Sequence, residues 1–119
     1  MKLKNRLQSL RTPPEELGRA ELQRFCADCD GVTPIADVVP RQEVSAVGEI
    51  RSLRIVPRAG CPSLEATITD GTGTIIASWT GRRQIAGISP GRRLIVHGRA
   101  NPCGPAGRMV LFNPTYELL

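Results

Sequence analysis

Apolar and polar residues change their spacing once along this chain, near Gln42. The clearest stretch lies beyond that point, from Ser63 to Arg83. Leu64, Ala66 and Ile68 alternate with Glu65, Thr67 and Thr69, the period of a strand with one buried face. Asp70-Gly71-Thr72-Gly73 follows, a run that tolerates the positive φ of a tight reversal. Thr74–Thr80 is a second β-rich run carrying the single Trp, and Gly81 ends it before Arg82-Arg83. The pattern predicts a β-hairpin with one apolar face and one polar, basic-ended face.

Upstream of Gln42 the spacing is helical. Leu3, Leu7 and Leu10 share one helical face among Lys and Arg, a segment expected to fray or to pack on its own domain. Thr12-Pro13-Pro14-Glu15 fits a capping box. It predicts a helix to about Cys29, with Leu17, Leu22, Phe25 and Cys26 available for burial and Asp30-Gly31 as its stop. Thr33-Pro34 predicts a single turn through Val38. From Gln42, Val44, Ala46, Gly48 and Ile50 alternate, and Leu53 and Ile55 continue in the other phase. That predicts one long strand to Val56 with a bulge between Gly48 and Ser52. Residues 57–62 read as a loop, and 81–91 as a connector with at most one helical turn. Arg92–Ala100 reads as a fourth strand, with Leu94, Val96 and Gly98 on one face and Arg93, Ile95, His97 and Arg99 on the other. Residues 101–106 have loop chemistry, and Gly107–Phe112 is a fifth strand closed by Asn113-Pro114.

The chain thus divides into an N-terminal helical extension, residues 1–41, and a mainly β unit, residues 42–119. A long bent first strand can pair at both ends of a short sheet and close it. The predicted architecture is a five-stranded OB-fold Greek-key barrel, with an SH3-like barrel as the competing arrangement. Composition adds one bias. The formal net charge is +5 and most of the positive charge is Arg, whose flat forked donors suit phosphate. Residues 42–119 hold nine Arg and five acidic residues, so the barrel carries +4 of that charge. The start, MKLKNRLQSLR, lacks the apolar core of a signal peptide. No run approaches the ~20 apolar residues of a membrane span. A cytoplasmic protein with reduced thiols and no membrane partner is expected.

Particular residues support a resemblance. Val44-x-x-x-Gly48-x-Ile50, Thr69-Asp70-Gly71-Thr72-Gly73, Pro90-Gly91 before Leu94-x-Val96-x-Gly98, and Phe112-Asn113-Pro114-x-Tyr116-Glu117 resemble OB-fold domains. These are the ones grouped with the anticodon-binding domains of aminoacyl-tRNA synthetases and the wedge domain of RecG-type helicases. The whole chain is similar to small actinobacterial OB-fold proteins. The resemblance implies binding of single-stranded or branched nucleic acid. Two departures stand against it: the connector 81–91 is short where many such domains carry a helix, and no helicase motor accompanies the barrel.

OB barrels grip a strand across their second and third strands, between the loops joining strands one and two and strands four and five. Those loops map to 57–63 and 101–106, with Arg54, Arg58, Arg82, Arg83, Arg93, Arg99 and Arg108 in or near them. Trp79, beside Arg82 and Arg83, can stack a base or fill the core, whereas Phe25 and Phe112 read as core. Cys26-x-x-Cys29 has the spacing of half a zinc site, and a four-thiolate cluster would need Cys61 and Cys103 as well. Unligated thiols and no cofactor are the expectation. Gly87-x-Ser89-x-Gly91 matches a nucleophile-elbow pattern, but a strand follows the Ser where a helix is required. His97, the only histidine, reads as structural. The resulting expectation is a non-enzymatic binder of single-stranded or branched DNA, with DNA favoured over RNA. It would act beside DNA-processing enzymes in repair, recombination or replication. The alternative is a protein-interaction module that docks a partner through the barrel and the helix.

Overall fold

The computed structural model describes residues 14–58 and 60–119, with side chains from Leu17 onward except at Arg58. The Leu3, Leu7 and Leu10 stripe and the Thr12 end of the capping box lie outside the described residues. Helix α1 spans Pro14–Ala27. It stops short of Cys29 because its last turn tightens: Cys29 N–H bonds the Cys26 carbonyl at 3.2 Å. Gly31 then takes a positive φ of 75°, which turns the chain away. Leu22, Phe25, Cys26 and Cys29 fall on one face. Leu17 does not. It sits about 140° round the helix from Leu22, at ~100° per residue, and is 51% exposed, contrary to the burial expected of it.

A 3-10 turn at Ile35–Asp37 follows. Six strands complete the chain: β1 Glu43–Arg58, β2 Cys61–Thr69, β3 Thr74–Thr80, β4 Arg93–Cys103, β5 Arg108–Phe112 and β6 Thr115–Leu118. Their order is β1-β2-β3-β5-β4-β6, and β4 also pairs with β1. That second pairing closes β1-β2-β3-β5-β4 into an OB-like barrel, with α1 on its outside. All contacts are antiparallel except β3 with β5. Strands β5 and β6 together line one edge of β4, broken at Asn113-Pro114. Asn113 has φ 50° there. Strand β6 was not expected from the sequence.

Closure depends on β1 changing partners. Its first half, Glu43–Glu49, pairs with β4 and its second half, Glu49–Arg58, pairs with β2. The switch falls at Gly48, where β-carbon space is absent: an added Cβ would lie 2.8 Å from the Thr69 carbonyl oxygen. The register slips between Ile50 and Ser52, within the stretch where the phase change predicted a bulge. Strands β1 and β2 run on to pair Pro57 with Pro62 and Arg58 with Cys61. The predicted 57–62 loop is therefore a tight hairpin tip. Pro is tolerated there because the tip lies beyond the last β2–β3 rung, Ser63↔Thr80.

Alternation points Val44, Ala46, Ile50, Leu64, Ala66, Ile68, Ile75, Ala77, Leu94, Val96 and Leu111 into one buried cluster. The connector between β3 and β4 forms no helix, yet it sends Ile85 and Ile88 into that core. A second cluster lies outside the barrel. Val47 and Ile95, opposed across β1 and β4, point outward and are covered by Leu22, Phe25, Cys26 and Cys29. The helical extension therefore packs on the barrel's β1–β4 wall. Asp70 ties the hairpin turn to the 3-10 turn. Its Oδ1 accepts from Thr72 N–H, Thr72 Oγ1 and Gly73 N–H, and its Oδ2 accepts from Ile35 N–H at 2.9 Å.

Candidate nucleic-acid interface

The outer wall of β1-β2-β3-β5 carries the residues that point away from the core. On β2 these include Ser63 and Glu65, on β3 Ile76 and Ser78, and on β5 Val110, all of them buried although they face away from the barrel core; Arg108 and Phe112 on β5 are exposed. The registers Glu65↔Ser78, Ile76↔Val110 and Ser78↔Phe112 set them side by side. Arg54 faces Glu65 across β1 and β2. Its Nε and Nη2 donate to Glu65 Oε1 at 3.2 and 3.1 Å. Glu65 is buried at its head while the Arg54 side chain is 69% exposed. Such a half-exposed pair adds little stability; its effect is to hold the guanidinium at the wall with donors still turned to water.

Arg108 is exposed at the start of β5. Arg82 and Arg83 are exposed just beyond β3. They are fixed at the Cys61 end of the wall because Gly81 N–H bonds the Pro62 carbonyl at 2.6 Å. Arg58 ends β1 opposite Cys61, but its side chain lies outside the described residues. Phe112 is 43% exposed on this wall, which corrects its reading as core.

Two of the predicted arginines lie elsewhere. Arg93 and Arg99 project from the β1–β4 wall, in a cross-strand row with Glu49 and Glu43. Arg93 Nε is 3.7 Å from Glu49 Oε2 and its guanidinium lies 4.5 Å from the centre of the Phe25 ring. Arg99 Nε is 3.8 Å from Glu43 Oε1, and its Nη1 donates to the Arg41 carbonyl at 3.2 Å. Between them His97 bridges three strands: Nδ1 is 2.7 Å from Ser45 Oγ and Nε2 is 2.8 Å from Glu117 Oε2. A closed barrel has an outside all round, so one strand face does not gather all seven arginines.

Trp79 must be corrected as a stacking candidate. It is 6% exposed, in the barrel core. Its Nε1–H donates to the Pro114 carbonyl at 3.1 Å, and Tyr116 meets its ring edge-on at 5.7 Å. No base can reach either face while the barrel is intact.

The cysteines do not assemble. All four are free, with Cys26 buried under the helix and Cys61 and Cys103 exposed at the two hairpin tips. Among the described residues no three His, Cys, Asp or Glu side chains are placed to share a metal ion. Burial, and after it the Asp70 and Cys29 charges, push the Cys26 thiol up to about 11. It is thus a protonated packing group at neutral pH. No helix among the described residues is long and apolar enough to cross a membrane.

The strand order, the closing β1–β4 pairing and the wall between two hairpin tips define the class: an OB-like β-barrel. No family model matches the chain and no curated protein matches it. Fourteen chains of solved structures do. One of them is RecG bound to a three-way DNA junction, with TM-score 0.57 and 18% identity over 73% of this chain. The match spans 12% of the RecG chain, so the likeness is one of fold.

Proposed function

We propose that this protein is a non-enzymatic nucleic-acid-binding module that holds single-stranded or branched DNA at the exposed arginines along the margins of the β1-β2-β3-β5 wall, as an accessory to repair, recombination or replication enzymes. The observation that carries the reading is the coincidence of Arg54, Arg108 and Phe112 on one wall of an OB-like barrel, with Arg82 and Arg83 at its end. The likeness to a barrel segment of a DNA-junction-bound protein supports it, as does a net charge of +5. The guanidinium groups meet phosphates, and binding is mostly electrostatic.

The test is a titration of a fluorescein-labelled oligothymidylate of about 15 nucleotides, near the upper site size of one OB barrel, and of a three-way DNA junction. Affinity should fall steeply between about 50 and 200 mM salt. Arg82→Glu/Arg83→Glu should abolish binding at the higher salt. Absence of binding at low salt refutes the reading and leaves a protein-docking role.

A further inference from the structure

The bulge in β1 adds one residue that has no partner on β2. That residue is Arg51, between the pairs Ile50↔Ile68 and Ser52↔Thr67. It is exposed and makes no hydrogen bond or ion pair among the described residues. Bulges re-aim side chains, and this one aims into a cleft of about 830 Å³ at the turn end of the β2–β3 hairpin. Two further arginines line it. Arg19 comes from α1, its Nε held by the Gly71 carbonyl at 3.0 Å, which leaves its Nη groups for a ligand. Arg93 comes from β4, braced from behind by the Phe25 ring at 4.5 Å.

The Arg19 and Arg93 guanidinium groups are thus held by their neighbours, the bulge turns Arg51 toward them, and among the described residues only Arg93 of the three has an acidic partner, at 3.7 Å. Gly71, Thr72, Gly73 and Thr74 form the turn side of the cleft, and Thr74 is exposed there. The same cleft contains Glu21 and Glu49. Guanidinium forks match phosphate oxygens, while carboxylates accept from hydroxyls. A ligand with both a phosphate and a sugar satisfies the two sets together, and the volume is that of a nucleotide-sized site.

We propose that this cleft is a second binding site, for a nucleoside phosphate, at the opposite end of the hairpin from Arg82 and Arg83. The nucleotide is either one unit of a bound strand, in which case the proposal rests on the DNA-binding reading above, or a free nucleotide, in which case it does not.

The experiment follows the arginine Nε signals of the whole protein by NMR during titration with the oligothymidylate and, separately, with thymidine triphosphate. Binding is measured in parallel for Arg51→Ala, whose side chain makes no hydrogen bond or ion pair among the described residues. If the strand supplies the nucleotide, the oligothymidylate moves the Arg19, Arg51 and Arg93 signals. Arg51→Ala then weakens it about five- to tenfold and lowers the salt slope by about one. If free nucleotide is the ligand, thymidine triphosphate moves those signals, and the variant loses the same factor for it alone. The proposal is overturned if neither probe moves the Arg19 and Arg93 signals, or if Arg51→Ala binds both probes as wild type does. An oligothymidylate that binds and shifts only wall residues sinks the cleft and spares the wall. A triphosphate that shifts the cleft, in a protein that does not bind the oligonucleotide, does the reverse.

Discussion

Gly48→Ala tests the account of how the barrel closes. An added Cβ would lie 2.6 Å from Ile68 Cγ2, 2.8 Å from the Thr69 carbonyl oxygen and 3.1 Å from the Thr69 carbonyl carbon. Ile68 is fully buried in the barrel core. The Thr69 contacts are backbone, in the rung that pairs Glu49 with Thr69, so β1 and β2 would have to part where β1 changes partners. Overpacking of a well-filled core costs about 1–3 kcal/mol. With the ladder disturbed as well, the upper end applies, about 3 kcal/mol. For a domain of this size that lowers the melting temperature by roughly 10 °C. Trp79 is the only Trp and is buried, so its emission in a urea titration reports the transition. Gly18→Ala is the control: its Cβ meets nothing within 4 Å and lies in a helix, so it should be neutral or stabilising by up to about 1 kcal/mol. A Gly48→Ala variant within 0.5 kcal/mol of wild type, on the order of surface-substitution noise, would refute the reasoning.

Three further outcomes follow from buried groups. Asp70→Ala strands three backbone donors and should cost about 3 kcal/mol, seen as a lower urea midpoint; an unchanged midpoint would mean that the Asp70 link between the two turns contributes nothing. Trp79→Phe leaves the Pro114 carbonyl without its donor and shrinks the core. It should cost about 2–3 kcal/mol with oligonucleotide affinity unchanged, whereas a stacking Trp79 would show the opposite pair of effects. The folded Cys26 thiol holds its proton up to about 11, against an ordinary 9.0. Between those values the native state binds more protons than the unfolded one, so stability falls as pH rises from about 9 to about 11. Cys26→Ala should flatten that part of the profile, and a thiol reagent at pH 8 should modify Cys61 and Cys103 while sparing Cys26 until the protein unfolds.

Local signals in the sequence were strong where one face of a strand is polar. Leu64 to Thr69 alternates cleanly, and the bounds of Thr74–Thr80 match the observed strand. The phase change from Ile50 to Leu53 revealed the bulge. The signal fails where all residues are alike: Met109-Val110-Leu111-Phe112 is wholly apolar, so its spacing cannot tell which members face in, and Phe112 was placed inside. Trp79 shows the same ambiguity from the other side, because a polar handle that needs Pro114 is invisible until the C-terminal segment is in place. Pro57 and Pro62 read as loop, although at a hairpin tip beyond the last β2–β3 rung they can sit in a ladder. The arginines mark a deeper limit. Alternation says in or out, but on a closed barrel only the strand order says which side of the cylinder, and that order is set by pairings across some fifty residues, such as Glu43 with Arg99.

The two junctions that complete the cylinder are unequal. Strand β1 meets β4 along seven rungs, whereas β3 meets β5 along three parallel ones, Ile76 to Ser78 against Val110 to Phe112. The shorter junction is closed off by Asn113, whose N–H donates to the Ser78 carbonyl at 2.6 Å and whose Oδ1 accepts from Thr80 N–H at 2.9 Å, so few bonds hold this seam and the Asn113 pair carries a large share of them. The seam's last rung carries Phe112. A ligand clasped across that rung would act as a rivet, and amide exchange at Leu111 would slow on binding although its side chain faces the core.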